Sequence, residues 1–177
     1  MELSGIHTMT LPLHIACMYH LKHLHSRLFI LAHELVDKEP ELPMSWLAVG
    51  VWYLISQRWR DARQYLSKTT IMNPRLAPGW IAFAHSFALE GEHEHAITAY
   101  STAARLFPGY EKEQRHRFLW LTNLFRTHLP YLFIGMEQLT LSHITLAEAS
   151  LTVAEAICDS DPLVHNEKGV VAYSNKK

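Results

Sequence analysis

Six residues recur at an interval of 34: Trp46, Gly50, Tyr53, Ala62, Leu66 and Pro74 return as Trp80, Ala84, Phe87, Ala96, Tyr100 and Pro108. A fixed period of this size constrains a chain more than any single motif does. Each copy must be one small supersecondary unit that buries its apolar side by stacking on the next. With a ring at the fourth place of the unit and small residues at the eighth and twentieth, bulk meets gap and two antiparallel helices cross closely. The proline that closes each copy lacks an amide hydrogen and turns the residue before it away from helical angles. The pattern predicts helix pairs over 44–57 with 60–73 and over 78–91 with 94–107, with Gly91 at the second turn. Trp80 is expected to be largely buried, against Ala96 and Tyr100 and against the second helix of the preceding copy.

A third copy, carried by Tyr131, Ile134, Gly135, Ala147, Leu151 and Ala154, starts 51 residues after Trp80, a surplus of 17. Upstream, the stretch from Pro12 to Pro40 reads as one degenerate copy, with Ile15, Ala16 and Tyr19 in phase and a poorly matched second helix, Arg27 to Val36. Downstream, Gly169 keeps phase with Gly135. Period and signature places together identify the tetratricopeptide repeat: an all-α solenoid of antiparallel helix pairs, wound into a right-handed superhelix. The expected array covers residues 10–177, as a degenerate repeat at about 10–40, repeats at 43–76 and 77–110, an insertion at 111–127, a repeat at 128–161 and a truncated repeat at 162–177. Within the insertion, Phe118, Leu119, Leu121, Leu124 and Phe125 follow spacings near three and four, which suits an amphipathic helix.

Composition narrows the function. Sixteen basic residues against 17 acidic ones, for a net charge of −1, supply no basic field to hold a nucleic-acid backbone. Arg27, His33, His85 and Glu90 interrupt the best apolar runs well short of a membrane span. The first ten residues lack the charged start and apolar stretch of a secretory signal. Two distant cysteines, Cys17 and Cys158, suit a reducing, intracellular setting.

No chemistry-bearing motif stands out. The chain has no phosphate-binding glycine loop, no GxSxG elbow, no HExxH and no CxxC, so a non-catalytic role is expected, with no cofactor. Among 13 histidines, His20 and His23 have helical spacing. A tetrahedral zinc shell would need Cys17 and a remote carboxylate besides, so they read as solvated surface residues and no metal site is expected, and His25, His93 and His95 read the same way. The concave face of the array is more informative. The second, fifth, ninth and twelfth places of each first helix line it: Met44, Leu47, Val51 and Leu54, then Pro78, Ile81, His85 and Ala88, then Leu129, Leu132, Met136 and Leu139. A clamp for a carboxylate terminus needs Lys, Arg and Asn there. This face is almost uncharged instead, which suits a hydrophobic helical or extended partner, or burial against the protein's own next turn. The candidate binding residues are Met44, Leu47, Val51, Leu54, Ile81, His85, Leu132 and Met136. His85 reads equally as a partner contact and as a histidine satisfied inside the array.

Beyond the repeat itself, Ser45-Trp46, Arg63, Tyr65-Leu66-Ser67-Lys68, Trp80-Ile81-Ala82, His85-Ser86-Phe87-Ala88, Glu92-His93 and Ala99-Tyr100 resemble one tetratricopeptide family. This is the sixth, cell-division-cycle scaffold subunit of the anaphase-promoting complex, and the resemblance covers most of residues 11–173. It implies a structural part in a ubiquitin ligase of mitotic control, in the nucleus and cytoplasm. It further implies other subunits of that complex as partners, a small accessory subunit in the groove, and a homodimer in the full-length family. Resemblance tips His85 toward partner contact. The family runs directly from Gly109-Tyr110 to a counterpart of His128-Leu129-Pro130, so residues 111–127 depart from it, and the chain reads as shortened at both ends. The competing expectation is a tetratricopeptide adaptor of a chaperone or trafficking assembly.

Overall fold

The computed structural model describes residues 10–106 and 128–175. The insertion at 111–127 and Pro108 lie outside the described residues, and so does the helix expected there. Among the described residues the regular structure is helical: α1 (Leu11–His20), α2 (His25–Lys38), α3 (Pro43–Ile55), α4 (Trp59–Met72), α5 (Ala77–Ala88), α6 (His93–Leu106), α7 (Leu129–Thr140), α8 (Ile144–Ile157) and α9 (Pro162–Ser174), with a 3-10 turn at Lys22–Leu24. The first helices α1, α3, α5, α7 and α9 all carry a proline in their first turn. Its fixed φ suits a helix start, where a missing N–H leaves no bond unmade. The chain divides into two units, residues 1–90 and 91–177.

In the first unit α3 and α4 form the expected antiparallel pair, α2 packs on α3, and α4 packs on α5. Gly50 marks the closest approach: a Cβ there would sit 2.5 Å from Leu66 Cγ. Beside it, Tyr65 stacks on both Trp46 and Tyr53, with centroids 5.9 and 5.2 Å apart. The buried Ser45 hydroxyl donates to the Leu35 and Glu39 carbonyls, joining α3 to the end of α2. Arg63 on α4 lies over the Phe87 ring and pairs with Glu90, closing α4 onto the end of α5.

The turn between paired helices repeats as strictly as the helices do. Gln57, Gly91 and Ser142 stand at the same place of three copies, and all have positive φ, at 58°, 86° and 63°. After α3 the Arg58 N–H donates to the Tyr53 carbonyl, and after α7 the His143 N–H donates to that of Gln138, the six-to-one bond of a left-handed helix cap. That cap explains why the helix predicted over 44–57 ends at Ile55; the one predicted over 78–91 ends at Ala88, ahead of the positive φ of Gly91.

Two expectations need correcting. Trp80 is only half-buried; its edge meets Phe83, and its indole N–H donates to the Pro74 carbonyl at 2.9 Å. The ring secures a turn more than it fills a core. The other correction concerns the degenerate repeat at 10–40, because α1 does not lie against α2 as α3 lies against α4. Ala16, in phase with Gly50, is exposed, whereas Leu11, Ile15 and Met18 on another side of α1 are buried.

The second unit holds α6 to α9. Here α7 and α8 pair, and a Cβ on Gly135 would sit 2.7 Å from Leu151 Cγ, as at Gly50. Leu132, Ala147, Leu151, Ala154, Val164 and Val171 form its apolar cluster. Tyr100 on α6 stacks on Phe133 of α7. The buried sides of α6 and α8 are rich in small residues, with Ala96, Ala99, Ala103 and Ala104 buried on α6 and Ala147 and Ala154 on α8.

Candidate protein-binding site

The fourth place of three copies has a role beyond bulk. The Trp46 Nε1–H donates to the Pro40 carbonyl at 2.7 Å, and Trp80 does the same to Pro74. In α9 the residue in phase, His165, places Nε2 2.6 Å from the Asp159 carbonyl. Each ring thus reaches back six residues and fixes the angle at which its helix enters. Lys68 Nζ sits 3.2 Å from the Trp46 ring centroid, a cation over a π face.

Trp46 turns to its own second helix, stacking on Tyr65 of α4, and the expected groove residues occupy other places of the first helices. The structure places Met44, Leu47, Val51, Leu54, Ile81 and His85 in the first unit, and Leu132 and Met136 in the second. It brings the four on α3 together, but not as open surface: their relative exposures are 2 to 7 %. They belong to one apolar cluster with Leu11, Ile15 and Met18 of α1, which packs on α3. Leu132 is likewise buried, in the cluster that α9 completes with Val164 and Val171. Ile81, His85 and Met136 are half-buried. Of the two expectations for these places, exposure to a partner and burial within the protein's own array, the four on α3 and Leu132 meet the second.

His85 is held neutral. Burial is the larger cause and the charge of His20 the smaller, together pushing its pKa down to about 4. The 3-10 turn after α1 leaves His20 and His23 exposed, as expected of solvated histidines, but His25 places Nε2 3.1 Å from the Tyr19 carbonyl. Histidines in the second unit depart further from that expectation. His93 Nδ1 lies 2.6 Å from Glu137, joining α6 to α7, and His128 pairs with Asp161, joining the start of α7 to that of α9. Asp161 also caps α9, accepting the Leu163 N–H at 2.8 Å, and this bond, followed by that to His128, lowers its pKa. Glu155 pairs with Lys168, which lowers its pKa in turn. No sequence spacing signals these pairs, because each joins two different helices. Among the described residues no three metal-ligating side chains converge, and no helix is long and apolar enough to cross a membrane.

No family model matches the chain. Individual proteins do. It is 45 % identical over 163 residues to the anaphase-promoting complex subunit cut9 of Schizosaccharomyces pombe, covering 92 % of this chain and 22 % of that protein. It is also 40 % identical over 176 residues to the human cell division cycle protein 16 homolog, covering 99 % and 26 %. The chain is homologous to one segment of these subunits. A crystal structure of the APC/C hetero-tetramer Cut9–Hcn1 matches with a TM-score of 0.79 at 43 % identity, over 93 % of this chain and 28 % of that one. The Arabidopsis OM64 TPR domain matches with a TM-score of 0.62 at 13 % identity, over 75 % of this chain and 96 % of that one, so the fold is the all-α tetratricopeptide solenoid; the chain spans about a fifth to a quarter of the length of the relatives it matches.

Proposed function

We propose that the chain serves as a non-catalytic tetratricopeptide scaffold segment of the anaphase-promoting complex, acting in mitotic control through protein contacts alone. The observation that carries this reading is the 45 % identity to cut9 along 163 residues, well beyond the few places the repeat requires. Its partners would be other subunits of that complex. By likeness to the Cut9–Hcn1 assembly, a small accessory chain would lie along the apolar first-helix face. A homodimer and a nuclear and cytoplasmic location complete the proposal.

Affinity purification of the tagged chain from mitotic extract, read by mass spectrometry, tests it. Recovery of anaphase-promoting complex subunits supports the reading. Recovery of chaperones or trafficking factors in their place would support the adaptor alternative, and recovery of neither would overturn both. Light scattering on the purified chain reads the dimer, and imaging of the tagged chain reads the location.

A further inference from the structure

The second helices of the repeats share one register. Ala62, Leu66 and Thr69 are buried on α4, Ala96, Tyr100 and Ala103 in phase on α6, and Ala147, Leu151 and Ala154 in phase on α8. At the pitch of an α-helix the opposite side is carried by places at spacings of three, four and three. On α4 these are Asp61, Gln64, Lys68 and Ile71, and on α6 they are His95, Thr98, Thr102 and Arg105. On α8 they are all apolar: Leu146, Ala149, Val153 and Ala156.

The exposure of this side belongs to the register and not to a place in the chain. Every one of these residues is exposed or half-buried, on α4 as on α8, although α4 has both α3 and α5 packed on it. Helix α8 likewise has α7 and α9 packed on it, and still leaves Leu146 55 % and Val153 42 % exposed. Their spacing is that of the a and d places of a helix-packing seam, and the alanines between them let a second helix approach closely.

Charge decides what suits this seam. Residues 128–175 hold six acidic side chains, Glu137, Glu148, Glu155, Asp159, Asp161 and Glu167, against one basic side chain, Lys168. Glu155 takes that lysine. Glu148 and Glu155 stand one heptad apart beyond one edge of the seam, and the Glu148 carboxylate has no ion pair among the described residues. A second copy laid on this face would set acid against acid, and an anionic lipid surface would be repelled in the same way.

We propose that the outer side of α8 is a docking surface for an amphipathic helix of another protein, apolar at its own a and d places and carrying Lys or Arg on its flanks. The seam supplies the apolar burial, and long cationic side chains on the incoming helix reach Glu148 and its acidic surroundings. Only second-helix residues are involved, so the proposal stands whichever assembly the chain serves.

The probe is a synthetic heptad-repeat peptide with Leu at a and d and Lys at e and g, and its control carries Glu in place of Lys. Both are titrated by fluorescence anisotropy into the full chain, into the full chain with Leu146→Gln and Val153→Gln, and into Glu148→Lys. Glutamine is a good helix former and both replaced side chains are exposed, so circular dichroism and melting should match the parent. The Lys peptide should bind at least about tenfold tighter than the Glu peptide, lose at least about tenfold on the double variant, and lose less on Glu148→Lys. Equal affinity for parent and double variant, equal binding of the two peptides, or binding of neither overturns the proposal. Self-association of the parent that the double variant abolishes, read by light scattering, overturns it as well, since a second copy would then be the occupant.

Discussion

Trp46 donates its indole N–H to the carbonyl of Pro40 at 2.7 Å, across the turn that leads into its own helix. The equivalent bond recurs from Trp80 to Pro74. A half-buried ring with a fixed polar contact contributes differently from a core ring. Trp80→Phe keeps most of the contact area and loses the bond, so it should lower stability by about 1 kcal/mol in urea denaturation. Phe tolerated without loss would show that bulk alone matters at this place.

At Gln57 and Ser142 the chain holds side-chain-bearing residues at φ of 58° and 63°, where Gly91 sits in the third such turn. The left-handed region costs a non-glycine residue about 1 kcal/mol. Gln57→Gly and Ser142→Gly should each raise the denaturation midpoint by a comparable stabilisation, and Gly91→Ala should lower it. A drop on either glycine substitution would mean that the Gln57 or Ser142 side chain contributes more than its backbone costs.

Gly50, Gly135 and Gly169 share one place of the repeat but not one environment. A Cβ would press on Leu66 at the first and on Leu151 at the second, whereas at Gly169 it would meet nothing within 4 Å. Gly50→Ala and Gly135→Ala should cost about 1 to 3 kcal/mol through overpacking. Gly169→Ala should stabilise by about 0.5 to 1 kcal/mol through helix propensity. Calorimetry on the three single variants separates them, and equal losses at all three would contradict the described packing.

His85 gives the first unit a pH dependence whose sign is fixed. Its folded pKa of about 4 lies below the ordinary value of 6.5, so the unfolded chain binds a proton that the folded chain refuses. The associated stability is present above pH 6.5 and is lost as pH falls toward 4. The full effect is bounded at about 3 kcal/mol. His85→Gln should flatten that part of the stability profile, and chemical denaturation at several pH values reads it; an unchanged slope would place the acid sensitivity on other groups.

The pairing of α3 with α4 and of α7 with α8 was legible because Gly50, Ala62 and Leu66, like Gly135, Ala147 and Leu151, encode one helix crossing at constant spacing. The left-handed turns were half legible: Gly91 announces one, whereas Gln57 and Ser142 disguise the other two behind ordinary residues. The docking of α1 left no such trace. Leu11, Ile15 and Met18 would suit any apolar neighbour, and which helix they meet is decided in three dimensions. For the same reason the sequence left Met44, Leu47, Val51 and Leu54 equally suited to a partner and to the protein's own array, and they are buried. Pairs such as His93 with Glu137 and His128 with Asp161 join residues 44 and 33 apart, and their partners become neighbours only once helix ends are superposed.

The small residues buried along α6 and α8 decide how this protein would look under mutagenesis. Ala96, Ala99, Ala103 and Ala104 on α6, and Ala147 and Ala154 on α8, have little volume to remove. Alanine scanning, which ranks positions by what truncation destroys, is therefore silent at these six positions and registers only the large buried residues between them, Tyr100 and Leu151. Harm there comes from added volume. Scanning with valine or leucine would expose the sensitivity that truncation hides, and natural variants at these six positions should be judged by the atoms they add.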